Sequence, residues 1–142
     1  MKESLKTEER IAIAKYRKEK AYERLKAAEI LFSQGFYNDA ISRAYYSIHA
    51  ISRAILILYD IRASTHEGVK TMLSKELIRD ARILPEDFAK KFSILKALRE
   101  DVDYEDFVRY SKEDAEEALR IAKDFVEKTA LTIDRIVKGL EK

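Results

Sequence analysis

The stretch Phe36 to Tyr59, FYNDAISRAYYSIHAISRAILILY, restricts what this chain can fold into more than any other. Wound as a helix, it carries Ile41, Ala44, Tyr45, Ile48, Ile51, Ile55, Leu58 and Tyr59 on one broad face, with Leu56, Ile57, Ala50 and Ala54 on most of the rest. A helix that is apolar nearly all round needs neighbours on several sides, so this one belongs at the centre of a helical assembly. One stripe interrupts it. Asp39, Ser42, Tyr46, His49 and Arg53 recur at helical steps and stack along a single edge. A polar seam on a buried helix has two settings: solvent with an ion-pair network inside the monomer, or a groove or subunit interface, where polar residues fix register or receive a ligand.

The flanking sequence supplies the neighbours. From Leu5 to Gln34, Ile11, Ala14, Ala21, Leu25, Ala28 and Phe32 keep helical spacing among charged residues, and Gly35 is placed to end the helix. The basic run Lys15 to Lys20, interleaved with glutamate, reads as a solvated face. Ser64 and Glu67 have capping-box spacing, which predicts a third helix from Thr65 with Val69, Met72, Leu73 and Leu77 inward. Pro85 is expected in the first turn of a fourth helix beginning PEDF. Phe88, Phe92, Leu95 and Val102 share one side of that helix, and Arg99 falls in the middle of the same side. An arginine there keeps its charge and must find a carboxylate, a carbonyl or a phosphate; Asp103, one turn on, is a candidate partner. DYEDFVRY reads as a loop, and Ser111 with Asp114 caps a final helix whose face runs Ala115, Ala118, Leu119, Ala122, Val126, Thr129, Ile133, Ile136, Val137, Leu140. No strand pattern appears, so the expected fold is all-α: an up-and-down bundle of four long or medium helices plus one shorter, forming one domain over residues 1–142.

Composition narrows the chemistry. The absence of cysteine excludes disulfides, thiolate zinc sites and a cysteine nucleophile. With His49 and His66 the only histidines, neither a metal site nor a serine triad is expected, and no motif implies a cofactor. A net charge of +2, from 28 basic and 26 acidic residues, forces neither a nucleic acid nor a membrane partner. No apolar run approaches the roughly 18 residues of a membrane span. The charged start MKESLKTEER has no apolar signal core after it, so a cytoplasmic location is expected. What remains is a set able to bind or cleave a phosphodiester: Arg43, Arg53, Arg99, His49 and His66, with Tyr45, Tyr46 and Tyr104. His66, in THEGV at the start of the third helix, reads first as a surface histidine at a helix start, and otherwise as a residue placed where exposed amides favour an anion and disfavour a protonated imidazole.

The run NDAISRAYYSIHAISRAIL, then THEGV, then LREDVDY, resembles the HEPN domains, small all-helical proteins named for nucleotide binding in higher eukaryotes and prokaryotes. The resemblance covers roughly Ala21 to Ala130 and keeps the order of all three blocks. It implies a homodimer, often the partner of a minimal nucleotidyltransferase in a toxin and antitoxin pair, with a nucleotide or RNA as ligand. Many members are metal-independent ribonucleases whose arginine is followed, after four to six residues, by a histidine. Here LREDVDY supplies Arg99 but has Asp103 and Tyr104 where that histidine falls, as in a branch reading Asp-Tyr, while Arg43 and His49 make a second formal match on the central helix. The expectation is therefore a dimeric binding and interaction module, with a metal-independent endoribonuclease as the alternative. Its candidate nucleotide, RNA or interface residues are Arg43, Tyr46, His49, Arg53, His66, Arg99, Asp103 and Tyr104, with no residue assigned to catalysis.

Overall fold

A computed structural model describes residues 4–141; the first three residues of the charged start, and Lys142, lie outside it. Its elements are α1 (Thr7–Ser33), α2 (Tyr37–Leu58), α3 (His66–Met72) continuing as a π-helical stretch (Leu73–Asp80), α4 (Phe88–Tyr104) and α5 (Lys112–Leu140). No strand occurs among the described residues, and the all-α bundle read from the sequence is the fold. None of these helices is long and apolar enough to cross a membrane.

The central position of α2 follows from its composition. Thirteen of its residues are buried, including Ile41, Tyr45, Ile48, Ile51 and Ile55, and it packs against α1, α4 and α5. Tyr59, expected on the buried face, lies just past the helix end and is exposed. α1 and α2 run antiparallel across a tight turn. Gly35, at φ 85°, ends α1 in the left-handed conformation glycine adopts without strain, and the Phe36 amide donates back to the Leu31 carbonyl at 2.9 Å. Lys18 meets Asp134 and Lys15 meets Glu141, which sets α5 antiparallel to α1.

Four details differ from the sequence reading. The α3 cap is Thr65 and not Ser64: Thr65 Oγ1 accepts from the Gly68 amide at 3.0 Å, so the cap-to-third-residue spacing closes one position later. Past Met72 the hydrogen bonding shifts to i→i+5, which brings Leu73 and Ile78 to the inner side together and leaves Met72 half-buried. Pro85 precedes α4 in a turn closed by the Phe88 amide on the Pro85 carbonyl at 3.1 Å, so the helix begins three residues after the position that a first-turn proline predicts. Asp103 and Tyr104 belong to α4, and the loop starts only at Glu105. The Ser111–Asp114 capping box at the start of α5 is present in both directions.

The core closes around Phe125 of α5, which stacks on Phe88 at 4.4 Å between ring centroids and approaches Phe92 at 6.4 Å. The α4–α5 loop is tied to the start of α2 by Asn38, whose Nδ2 donates to the Val108 carbonyl at 2.8 Å and whose Oδ1 accepts from the Tyr110 amide at 2.9 Å. Tyr110 in turn donates its hydroxyl to Asp101 on α4. These bonds hold the C-terminal turn of α4, and with it Arg99, against α2.

Candidate functional site

The polar seam of α2 becomes a site because α3 and α4 meet it near its middle. Tyr45 points into the bundle and is fully buried, while Tyr46 and His49 lie at its edge. His66, the first residue of α3, folds down over this edge: its ring lies 4.8 Å from that of His49 and 6.1 Å from that of Tyr46. The Tyr45 hydroxyl and His66 Nδ1 are hydrogen-bonded at 2.7 Å. With His66 neutral and its proton on Nε2, the phenol is the donor. Burial pushes the Tyr45 phenol well above its ordinary range, so it keeps that proton at neutral pH.

Arg99 reaches the same place from α4. Only 7% exposed, it donates through Nη2 to the Tyr46 hydroxyl at 2.8 Å. Its guanidinium carbon lies 5.7, 5.3 and 5.5 Å from the ring centroids of Tyr45, Tyr46 and Tyr104. The carboxylate that the sequence offered one turn on, Asp103, stands 2.9 Å from Arg99 Nε. The N–H direction at Nε misses that oxygen, so the pair is held by charge more than by a directed hydrogen bond. An arginine on an apolar stripe is thus accommodated by a cage of three tyrosines and one carboxylate.

Both imidazoles are held neutral. His49 is pushed down to about 4, first by burial, then by the neighbouring His66 imidazole and by the cations Arg53, Arg99 and Arg24. Its Nε2 is sealed from water and has no hydrogen-bond partner. His66 is lowered by burial and by Arg99 and Lys96, against the opposite pull of Glu100 and Asp103. A pH prediction follows from His49. The unfolded imidazole takes its proton near pH 6.5 and the folded one only near 4, so between these values the unfolded chain binds more protons and stability falls as the pH drops. After discounting for the part-buried setting, the expected loss is about 1–2 kcal/mol between pH 7 and pH 4. His49→Gln is expected to flatten that part of the profile; a slope identical to the parent's contradicts the assignment.

The remaining sequence candidates take different places. Arg53, farther along α2, donates from Nε to the Ala63 carbonyl at 3.0 Å and so anchors the connection into α3. Arg43 is exposed and makes no hydrogen bond or ion pair with the cluster. Tyr104 covers Arg99 with one face and is 72% exposed. The basic run of α1 divides. Lys15 and Lys18 pair with α5 as a solvated face, whereas Arg17 and Lys20, with Arg24, line a groove of about 570 Å³ beside Tyr46, His49 and Arg53. Sequence reasoning missed Arg24 and the inward half of that run, although Arg17, Lys20 and Arg24 repeat at helical spacing. The intervening glutamates obscured it. Among the described residues no group of histidine and carboxylate side chains is arranged to hold a metal ion.

The class of protein to which this all-helical bundle belongs comes from the comparison with family models. The HEPN domain model matches residues 14–132, and the chain belongs to the HEPN domain family. Its relatives include "Putative toxin MJ0142" of Methanocaldococcus jannaschii, 34% identical over 85% of this chain and 83% of that protein. A second protein of that organism, "Putative toxin MJ0605", is 32% identical over 85% and 84%. A UPF0332 protein of Thermotoga maritima is 23% identical over 94% and 98%.

Proposed function

We propose that this chain is a toxin-class HEPN module that acts as a homodimer, binds the phosphate of a nucleotide or RNA over the Tyr46–His49–His66–Arg99 cluster, and docks against a minimal nucleotidyltransferase. The observation that carries the reading is the cluster itself: three helices bring an arginine, two tyrosines and two neutral imidazoles to one edge of α2. Buried polar groups are costly unless partnered, and His49 Nε2 at this edge has no hydrogen-bond partner among the described residues. The toxin class rests on the names of the two archaeal relatives. A second copy is supported by the fully exposed Phe107 and the largely exposed Tyr104 beside the Arg99 end of α4, apolar surface of the kind that association covers.

Binding is favoured over cleavage because of the protonation states. His49 is too acidic and too enclosed to cycle a proton near pH 7, and Arg99 is already paired to Asp103. The ribonuclease reading keeps one specific support. The fold brings His66 into the surroundings of Arg99 within a single protomer, supplying by tertiary contact what the spacing in LREDVDY lacks. The test is incubation of end-labelled single-stranded RNA with the protein in EDTA, read for both retention and cleavage. Retention with little or no cleavage, weakened in Tyr46→Phe and His66→Ala, is the expected result. Robust cleavage abolished by His66→Ala promotes the ribonuclease, and neither retention nor cleavage removes the RNA part of the proposal.

A further inference from the structure

The groove between α1 and α2 is distinct from the Arg99 cage and is built differently. It is lined by Arg17, Lys20 and Arg24 from α1 and Arg53 from α2, with Tyr16, Tyr46 and His49 between them, and no carboxylate is part of its wall. In a chain with 28 basic and 26 acidic residues, four cations on one acid-free groove are a segregation of sign that folding alone gives no reason for. Their own bonds leave most of their donors open. Arg17 spends one N–H on the Arg53 carbonyl, Arg53 spends Nε on Ala63, Lys20 reaches the exposed Glu23 at 3.5 Å and the Tyr16 ring, and Arg24 makes no ion pair among the described residues. The charges also act on one another: burial and then Arg53 hold the Arg17 guanidinium below its ordinary value, a repulsion that an anion in the groove relieves.

We infer that this groove is a track for the sugar-phosphate backbone of single-stranded RNA, with Arg17, Lys20, Arg24 and Arg53 facing its phosphates and Tyr16 stacking a base. The inference rests on the phosphate-binding reading above and extends it to residues outside the cluster. Length argues for a strand over a mononucleotide. From Arg17 to Arg24 the α1 stripe rises about 10 Å, longer than a triphosphate chain. Chemistry argues for nucleic acid over an acidic polypeptide. Arginine forks match phosphate oxygens, and the aromatic rings interleaved with the cations offer faces for bases: Tyr16 is 59% exposed and lies under the Lys20 ammonium. The groove also opens onto Tyr46 and His49, so a strand lying in it leads directly to the cluster.

The test is fluorescence anisotropy of a labelled oligouridylate of about twelve nucleotides, titrated at several salt concentrations. For single strands each phosphate contact contributes about 0.7 to the slope of log affinity against log salt. Lys20→Gln with Arg24→Gln, neither side chain bracing the fold, is expected to lower that slope by about 1.4. Lys15→Gln with Lys18→Gln removes the same charge from the same helix but outside the groove, and is expected to leave the slope unchanged. Tyr16→Ala is expected to weaken binding about fivefold or more. Equal loss in both double variants reduces the effect to net charge and overturns the track. RNA binding that ignores Lys20, Arg24 and Tyr16 but fails in His66→Ala also overturns the track, while leaving the cluster reading intact. Binding in none of the proteins removes both, and equal competition by polyglutamate overturns the assignment to RNA.

Discussion

Phe125→Ala is expected to lower the unfolding free energy by about 3–5 kcal/mol, the largest stability effect of any single truncation considered for this chain. The side chain is fully buried, stacks on Phe88 and approaches Phe92, so its removal leaves a cavity between α4 and α5 that rigid helices cannot refill. Part of that loss is the transfer term for the missing ring and part is the unfilled space. Phe125→Leu, which keeps most of the volume, is expected to cost less than half as much. Urea unfolding followed by circular dichroism measures both. A Phe125→Ala loss below about 1 kcal/mol would mean that α4 is not packed on α5 through this stack.

Arg99→Ala comes second, with an expected loss of about 3 kcal/mol. The substitution removes a charged hydrogen bond to the Tyr46 hydroxyl, an ion pair to Asp103 and three ring contacts, and it leaves a hole lined by tyrosine faces. The figure is set at the lower end for a broken buried pair because Asp103 is itself 30% exposed and water can recover it. Arg99→Lys is expected to restore less than half. A single ammonium cannot hold Tyr46 and Asp103 together or lie flat on the rings. Arg99→Met, which keeps the stem, separates packing from charge. An Arg99→Ala protein as stable as the parent would contradict the caged arginine described above.

The fold was legible because its main determinant is local. The apolar circumference between Phe36 and Tyr59 demands a central helix, and Gly35 and the Ser111–Asp114 box mark where its neighbours end and begin. The misplaced details are those in which two local signals competed. Ser64 and Thr65 are both capping residues and only the fold chooses between them, while the register shift past Met72 depends on what Ile78 packs against. The site was legible residue by residue but not as an arrangement. Tyr46, His49 and Arg53 could be placed on one seam from spacing alone. That His66 and Arg99 both come to that seam, from helices elsewhere in the chain, is a consequence of tertiary packing. Phe125 and Arg24 were missed for opposite reasons: the first sits beside a face already complete without it, and the second is one charge among many on a charged helix.

In the proposed function, the edge of α2 shared by Tyr46, His49, His66 and Arg99 receives a phosphate. His66 reports on it directly, since burial, Arg99 and Lys96 together hold its imidazole below the ordinary value in the free protein. An anion seated there offsets those charges and favours the imidazolium. The measurement is an NMR pH titration of the His66 ring with and without a saturating oligouridylate. The His66 midpoint is expected to lie below its ordinary value in the free protein and to move upward when RNA is bound. A His66 midpoint that stays where it was while the RNA is demonstrably bound would contradict that reading.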